Sequence, residues 1–268
     1  MKHFIYKFLL VVGIILMGIN ILGLFKSMRN PEIQIEQNTS RIADVSMPYA
    51  STKEAIKKRP DESDKAFAIR INDVVSKSMS HYWKKDGWDK YYLKVPVWEN
   101  YILWAESLFK KNKAYEFKNY KKNLERGAGL CSTHSIVVKG ILLDNGIEAQ
   151  LWDLSRHVVV RAKVGDDEWY ILDPDYGLYI PHDIPEIEAN PELVRPTYEN
   201  MADLYKPDAI DPYTTDFVVE IYGLKEHKIY DYDARYEIFS YAAIWIVPLL
   251  LILPFIFTRI RKEDFEKH

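Results

Sequence analysis

The chain has 268 residues, a formal net charge of −3 and a composition ordinary for a globular protein except for its 19 tyrosines and 7 tryptophans. The slightly acidic balance argues against a dedicated nucleic-acid-binding protein, and the length allows one or two domains. Cysteine occurs only once, as Cys131.

An uncharged apolar segment over residues 8–25 follows a start that carries Lys2 and Lys7. It approaches the roughly 20 residues that a bilayer-spanning helix needs. A cleaved signal peptide is the alternative, but the run exceeds a signal core of about 7–15 residues, and no small-x-small cleavage site follows before Lys26. We therefore predict a retained transmembrane helix over 8–25, flanked by residues 1–7.

A second apolar segment covers residues 239–257 and contains two prolines, which membrane helices tolerate. A buried core helix is the alternative. A basic cluster follows the segment, made of Arg259, Arg261 and Lys262. By the positive-inside rule this cluster places the tail, residues 258–268, in the cytoplasm. Two spans then place residues 1–7 in the cytoplasm as well, and the chain between the spans on the extracytoplasmic (periplasmic) side of the cell (inner) membrane.

Residues 26–60 are polar and are predicted to form an extracytoplasmic stalk, followed by one domain over 61–235. Apolar spacing predicts helices over 63–79 and 96–109 in that domain. Aromatic residues concentrate in the same region, namely Trp83, Trp88, Tyr91, Tyr92, Trp98, Tyr101 and Trp104. For this aromatic group, core packing and an interface are favoured over stacking against sugar rings.

A helix is predicted over Cys131–Asp144, because small and apolar residues recur on the Cys131 face and Gly146 follows as a stop. Three strands are predicted next, over 147–153, 157–164 and 168–172. A tight turn at 165–167 joins the last two strands. The proline-rich residues 181–215 are predicted to be irregular, and 217–222 to form a final strand. The order of loop, helix and antiparallel strands predicts an α+β fold.

Three side chains in this stretch can form a catalytic triad, namely Cys131, His157 and Asp173. Cys131 begins its helix, where the helix dipole and the free N–H groups favour a thiolate. His157 and Asp173 lie on the two sides of the predicted turn, so strand pairing would place them nearly opposite each other. A small buried hydrophobic residue is the alternative for a single cysteine. An unpaired thiol in an oxidising compartment favours a functional role.

The residues around this triad resemble the transglutaminase-like (papain-like cysteine) superfamily. The resemblance rests on Gly-Leu-Cys131, Asn-Gly-Ile-Glu-Ala149, His157 before a β-run and Trp-Tyr-Ile-Leu-Asp173-Pro. It covers residues 120–178. It implies a papain-like core in which a nucleophile helix packs on an antiparallel sheet, flanked here by two transmembrane helices. It also implies that Cys131 is the nucleophile, His157 the general base and acid, and Asp173 the orienting residue.

The sequence departs from the family pattern at two places. Val158 and Val159 follow the histidine where Ala-Trp is common, and Ala128 separates two glycines that are often adjacent. The resemblance implies a membrane-anchored thiol enzyme that cleaves or transfers an amide or acyl group through a Cys-linked thioester, without a metal or organic cofactor. Its substrate would be a peptide, a protein or an envelope glycan. The alternative is a non-catalytic domain that binds a peptide or polysaccharide or acts as a scaffold.

Other polar residues near the triad have simpler interpretations. Cys131 and His134 have the spacing of a metal half-site, but a packing histidine is favoured because the chain offers no second cysteine. Asp175 is interpreted as a turn residue. Tyr176 and Gly177 either border the site or form an ordinary turn. Hydrolysis and amine transfer stay open, and the second oxyanion donor is unassigned.

Overall fold

The computed structural model describes residues 2–34, 45–82, 87–109, 114–207, 209 and 212–266, with side chains described except at 2, 3 and 260–266. The fold is α+β, as predicted. The chain divides into two compact units. The terminal unit comprises Met1–Met28, Lys94–Tyr115 and Asp233–His268, and the central unit comprises Arg29–Leu93 and Glu116–Tyr232.

The helices and strands follow one another along both units. The helices are α1 (Lys2–Gly23), α2 (Tyr49–Ala55), α3 (Asp64–Ser78), α4 (Gly87–Lys90), α5 (Tyr101–Phe109), α6 (Tyr120–Arg126), α7 (Cys131–Asp144), α8 (Ile184–Ala189), α9 (Thr215–Gly223) and α10 (Arg235–Glu266). The strands are β1 (Ser80–His81), β2 (Ala128–Gly129), β3 (Ala149–Asp153), β4 (Val158–Lys163), β5 (Trp169–Asp173), β6 (Leu178–Ile180) and β7 (Lys228–Ile229). Short 3-10 helices cover Pro31–Gln34, Pro191–Tyr198 and Met201–Leu204.

Within the described residues of the terminal unit, two helices are long and apolar enough to cross a membrane, over Phe4–Gly23 and Arg235–Arg259. They pack antiparallel, since Gly13 lies against residues 248–252 while Asn20 donates a hydrogen bond to the Ile244 carbonyl. The structure therefore agrees with the predicted pair of apolar helices near the chain ends. The first helix ends two residues before the predicted bound of 25, and α10 continues through both of its prolines.

The segment that carries α5 belongs to the terminal unit, although it was predicted as part of the 61–235 domain. Its side chains bond to α10: the Asn100 amide donates to the Ser240 hydroxyl at 3.0 Å, and the Tyr115 hydroxyl donates to Glu237 at 3.0 Å. The predicted aromatic group is thereby divided. Trp98, Tyr101 and Trp104 belong to the terminal unit and Trp88, Tyr91 and Tyr92 to the central unit, while Trp83 lies outside the described residues.

An antiparallel sheet forms the centre of the other unit, with the described strands in the order β6-β5-β4-β3-β7. The continuous run Val158, Val159 and Val160 in β4 is buried throughout, which is typical of a strand covered on both faces. Successive side chains point to opposite faces. Val158 and Val160 therefore join the core under α3 and α7, and Val159 joins the core under α9 and the 3-10 segments.

Several described residues of the segment 26–60, which is predicted as a stalk, are buried or bonded to the folded chain. Ile33 and Val45 are buried, and the Thr52 hydroxyl on α2 lies 2.8 Å from the Ser78 hydroxyl of α3. These few side chains fix the segment to the central unit. Its average polarity concealed them, because each stands alone between polar neighbours.

The prediction of a final strand over 217–222 is wrong, because this stretch lies in the helix α9. Thr214 caps that helix by accepting a hydrogen bond from the Phe217 N–H at 3.2 Å. Val218, Val219, Ile221 and Tyr222 are buried, a pattern that fits one helix face as well as a strand. The proline-rich residues 181–215 contain α8 and the 3-10 turns, and they cover one face of the sheet.

Candidate active site

Cys131 is the first residue of α7, as predicted, and its thiol is free and partly exposed. Two glycines determine the backbone path that leads to Cys131. Gly127 ends α6 with φ of +71°, a left-handed conformation that side chains other than glycine resist. A Cβ on Gly129 would lie 2.4 Å from the Thr133 Cβ, so only glycine fits against the first turn of α7. Gly129 therefore allows the chain to approach the first turn of α7 closely, directly before Cys131.

His157 precedes β4 and is buried, with 5% of its surface exposed. A tight loop presents it: Ser155 has φ of +71°, and the Leu154 N–H donates to the His157 carbonyl at 2.8 Å. The hydroxyl of Ser135, one turn into α7, donates to the Val158 carbonyl at 2.8 Å. This bond joins the helix of the candidate nucleophile to the strand of the candidate base.

The structure brings Cys131, His157 and Asp173 together. The His157 Nε2 donates to the Asp173 Oδ2 at 2.7 Å, and both side chains are buried. The Cys131 thiol lies close enough to the imidazole to contribute to its raised pKa. Because Nε2 bonds to the carboxylate, Nδ1 is the ring nitrogen that can interact with the thiol. The order sulphur, imidazole, carboxylate is the arrangement required for nucleophilic catalysis by a cysteine.

The charge state of His157 reflects this arrangement. Burial lowers the pKa of His157, but the charge and hydrogen bond of Asp173, together with Cys131, outweigh burial and raise the pKa well above its usual value. Such an environment favours the imidazolium form, which in turn stabilises a neighbouring thiolate.

The Asp173 carboxylate is held on both of its oxygens. Oδ2 accepts the Tyr198 hydroxyl at 2.7 Å in addition to His157, and Oδ1 accepts the Asp175 N–H at 3.1 Å. Tyr222 lies behind, with its hydroxyl 3.3 Å from that of Tyr198. Burial, followed by the charge of Asp173, raises the pKa of Tyr198 well above its usual value, so that its hydroxyl keeps the proton it donates.

The prediction that residues 157 and 173 lie opposite each other is not met by the strand register. Val160 pairs with Leu172, a register that extends to place position 157 opposite position 175. The reason is the turn: Val164 bonds to Glu168, so the hairpin is centred on Asp166 rather than on the glycine before it. His157 and Asp173 meet as diagonal neighbours, a distance that the imidazole bridges.

Two tyrosines flank the imidazole. The Tyr176 ring centroid lies 5.9 Å from that of His157, and the Tyr213 ring meets it edge-on at 6.4 Å. The Tyr176 hydroxyl lies 2.6 Å from the Tyr205 hydroxyl. Tyr176 thus borders the site, the first of the two interpretations that its position suggested.

A second histidine–carboxylate pair lies beside the triad. The His81 Nδ1 is 2.6 Å from the Asp175 Oδ1, and the carboxylate is buried. The His81 ring stacks on that of His134 with centroids 6.4 Å apart, and β1 pairs with β2 just before Cys131. Asp175 is therefore a buried partner, which differs from its interpretation as a plain turn residue.

His134 agrees with the interpretation as a packing histidine. Its Nδ1 is 2.8 Å from the Leu130 carbonyl oxygen and its Nε2 is 3.2 Å from that of Met79, so both ring nitrogens face backbone. Burial lowers the pKa of His134. Among the residues that the structure describes, no group of three or more His, Cys, Asp or Glu side chains is arranged to hold a metal ion.

Sequence reasoning missed the partners that hold the triad from outside. Tyr198 and Tyr222 lie 25 and 49 residues after Asp173 in stretches without a catalytic pattern, and His81 lies 50 residues before Cys131. Only their type gave a signal, since a tyrosine hydroxyl and a histidine ring N–H can each donate a hydrogen bond to a carboxylate. Comparison with protein-family models, curated proteins and solved structures finds no match to this chain.

Proposed function

We propose that this protein is a membrane-anchored thiol enzyme of transglutaminase-like type that cleaves or transfers an amide or acyl group. One observation carries the proposal: a buried imidazole lies between the lone thiol of the chain and a carboxylate 2.7 Å away. The burial, the order of the three groups and the elevated pKa of the imidazole all fit a nucleophilic cysteine.

The reaction begins when the Cys131 thiolate attacks the carbonyl carbon of the substrate amide. The carbonyl oxygen takes the negative charge, and we assign its stabilisation to the Cys131 backbone N–H at the start of α7. The intermediate collapses, the C–N bond breaks and the imidazolium of His157 gives its proton to the leaving amine. A thioester on Cys131 and a neutral imidazole remain.

The second half of the reaction resolves that thioester. Water or an amine attacks the thioester carbonyl while His157 takes the proton of the attacking group. The C–S bond breaks, which regenerates the thiolate and the imidazolium and releases an acid or a new amide. Asp173 stabilises the imidazolium in both halves and fixes the orientation of its ring. The substrate class that suits this chemistry is a peptide, a protein or a peptide-bearing envelope glycan.

A thiol-reactive probe tests the proposal. The rate of carbamidomethylation of Cys131 by iodoacetamide, in the full-length protein in detergent, is expected to exceed that of free cysteine at the same pH, and Cys131→Ala should abolish labelling. His157→Gln should return the rate to that of free cysteine. A rate no faster than free cysteine in the wild-type protein, together with an unchanged cellular role of Cys131→Ala, would support the binding or scaffold function instead.

The proposal includes an orientation: both chain ends in the cytoplasm and the central unit on the extracytoplasmic side of the cell (inner) membrane. It is supported by the antiparallel helix pair and by the basic residues that follow the second span in the sequence. A cysteine introduced at Lys262 in a Cys131→Ser background should resist a membrane-impermeant maleimide in whole cells. Rapid labelling there would reverse the orientation.

A further inference from the structure

Beside the imidazole lies a pocket of about 680 Å³, lined by Arg156, Pro212, Tyr213 and Phe217. Tyr213 joins the pocket to the site, because its ring meets that of His157 and its hydroxyl donates to the Arg156 carbonyl at 3.4 Å. Its size is typical of pockets that take a small molecule or a side chain.

The pocket has an aromatic wall and one cationic group. Phe217 packs edge-on against Tyr213 with centroids 4.8 Å apart, and the Arg156 guanidinium lies over the Phe217 ring at 5.5 Å. A guanidinium that stacks on an aromatic ring keeps its N–H donors directed to the side. The ring thus positions the cation at the pocket without neutralising it.

Arg156 differs from three other arginines of the central unit, which are paired with carboxylates. Arg70 pairs with Glu62 and Arg161 with Asp183, each at 2.6 Å, and Arg195 is paired as well. Within the described residues no carboxylate forms such a pair with Arg156. Its side chain is exposed, so the guanidinium is accessible to an anionic ligand that enters the pocket.

We propose that this pocket binds a carboxylate on the amine side of the scissile amide. The amine side is assigned because Tyr213, which lines the pocket, contacts the ring of His157, the group that gives its proton to the leaving amine. The carboxylate of an acidic substrate residue would pair with the Arg156 guanidinium, and its methylene groups would pack on the aromatic wall. These contacts would orient the amide nitrogen of the substrate toward the imidazole. This inference rests on the proposed function and narrows its substrate to amides whose amine portion is acidic.

Paired alkylating probes test the inference in the full-length protein. The probes are N-chloroacetyl-glutamic acid α-amide and N-chloroacetyl-glutamine α-amide, which differ only in the carboxylate, and the readout is the alkylation rate of Cys131 by intact mass. The wild-type protein is expected to react about tenfold faster with the acidic probe, and the preference should fall with added salt. Arg156→Gln should bring the two rates together, whereas Arg59→Gln, which removes an exposed arginine outside the pocket, should not.

The outcomes separate this inference from the function on which it rests. Equal rates with the two probes, in a wild-type protein that iodoacetamide labels faster than free cysteine, overturn the acidic preference and leave the enzyme proposal standing. Slow labelling by iodoacetamide overturns the enzyme proposal, and the inference fails with it.

A different observation, in the terminal unit, carries a second inference. The Ile244 carbonyl accepts hydrogen bonds from Asn20 in one candidate span and from the Tyr101 hydroxyl at the start of α5. Ile244 lies nine residues past Arg235, or about 13 Å along the helix axis. The start of α5 is therefore fixed beside the apolar part of the helix pair.

The outer face of α5 is apolar. Trp104 is 39% exposed, Leu108 58% and Phe109 87%. Tryptophan and phenylalanine at such a level are typical of side chains at a membrane interface. Because α5 packs on the spans and presents this face outward, we infer that α5 inserts into the lipid interface and forms a third membrane contact.

An environment-sensitive fluorophore tests this second inference. The NBD group is attached to a Phe109→Cys variant in a Cys131→Ser background, and the protein is reconstituted in phosphatidylethanolamine and phosphatidylglycerol vesicles. Blue-shifted emission and quenching by lipids with nitroxide on the acyl chain are expected. The same label at Asp166→Cys, on the exposed hairpin turn, is the aqueous control. Emission at position 109 equal to that control overturns the inference.

Discussion

The carboxylate of Asp173 receives two hydrogen bonds on a single oxygen, one from His157 and one from Tyr198, both at 2.7 Å. A buried carboxylate with this set of donors holds its charge and its position, and the imidazole is oriented as a consequence. Tyr198 therefore holds the carboxylate of the candidate triad on the oxygen that also faces His157.

Replacing the Asp173 carboxylate by an amide should remove the interaction that orients His157. Asp173→Asn places an NH₂ or a weaker acceptor opposite Nε2, which favours the wrong tautomer of His157. We expect the alkylation rate of Cys131 to fall at least about tenfold, and turnover of any amide substrate by roughly 10²-fold or more. Asp166→Asn on the exposed turn is the matched control. Equal rates for the two variants would exclude Asp173 from the triad.

The elevated pKa of His157 predicts a direction for the pH dependence of stability. Burial lowers this pKa, but Asp173 and Cys131 raise it well above the usual value of about 6.5. A group whose folded pKa is raised contributes stability that is fully present below the unfolded pKa and is lost as pH rises through the folded pKa. Thermal unfolding of the full-length protein in detergent should show a midpoint that falls from pH 6.5 upward more steeply in wild type than in His157→Gln. Parallel curves would contradict the shift.

Removing the Tyr198 hydroxyl tests how much its hydrogen bond to Asp173 contributes. Tyr198→Phe deletes a hydrogen bond to a buried charged acceptor, and we expect a loss of about 2 kcal/mol in the free energy of unfolding together with slower alkylation of Cys131. Tyr222→Phe is the matched control, because its hydroxyl contacts that of Tyr198 at 3.3 Å and does not reach the carboxylate. That variant should lose less than about 1 kcal/mol. The prediction fails if the two variants behave alike.

The parts of the fold that local pattern decides were predictable from the sequence. The helix α7 has the predicted bounds, because glycines precede it and Asn145-Gly146 follows it. The helix α3 begins after Ser63, whose side chain caps it. The hairpin of β4 and β5 also forms as predicted. In each case short-range chemistry and burial periodicity agree.

The parts that depend on long-range packing were not predictable. The β-branched run at 217–222 suits a strand or a helix face, and only the sheet that it covers decides for the helix. The register of the hairpin depends on which residue lies at the centre of its three-residue turn, and the amino-acid composition of the turn does not determine that residue. Likewise, Tyr198 reaches Asp173 only because the proline-rich segment folds back over the sheet.

The second histidine–carboxylate pair should contribute to stability. His81→Ala removes the donor at 2.6 Å from the buried Asp175, and we expect a loss of about 1–3 kcal/mol in the free energy of unfolding. His182→Ala is the control. The His182 ring lies 3.2 Å from Glu186 in an exposed pair, which is worth little. Urea titration of both variants measures the free energy of unfolding. A loss of stability in His81→Ala no larger than in His182→Ala would mean that the His81–Asp175 pair does not stabilise the fold.

The packing of the helix pair predicts opposite results for one substitution at two glycines of α1. A Cβ on Gly13 would lie 2.8 Å from both the Ile252 Cγ1 and the Pro248 carbonyl oxygen, whereas none of the described atoms lies within 4 Å of a Cβ on Gly18. Gly13→Ala must therefore push the helices apart, at a cost of about 1–3 kcal/mol. Gly18→Ala adds a better helix former without a clash and should be neutral or stabilising by up to about 1 kcal/mol. Thermal melting of the two variants in detergent measures the difference. Because the substitution, the helix and the solvent are the same, a similar loss in both variants would mean that α1 and α10 do not pack through Gly13.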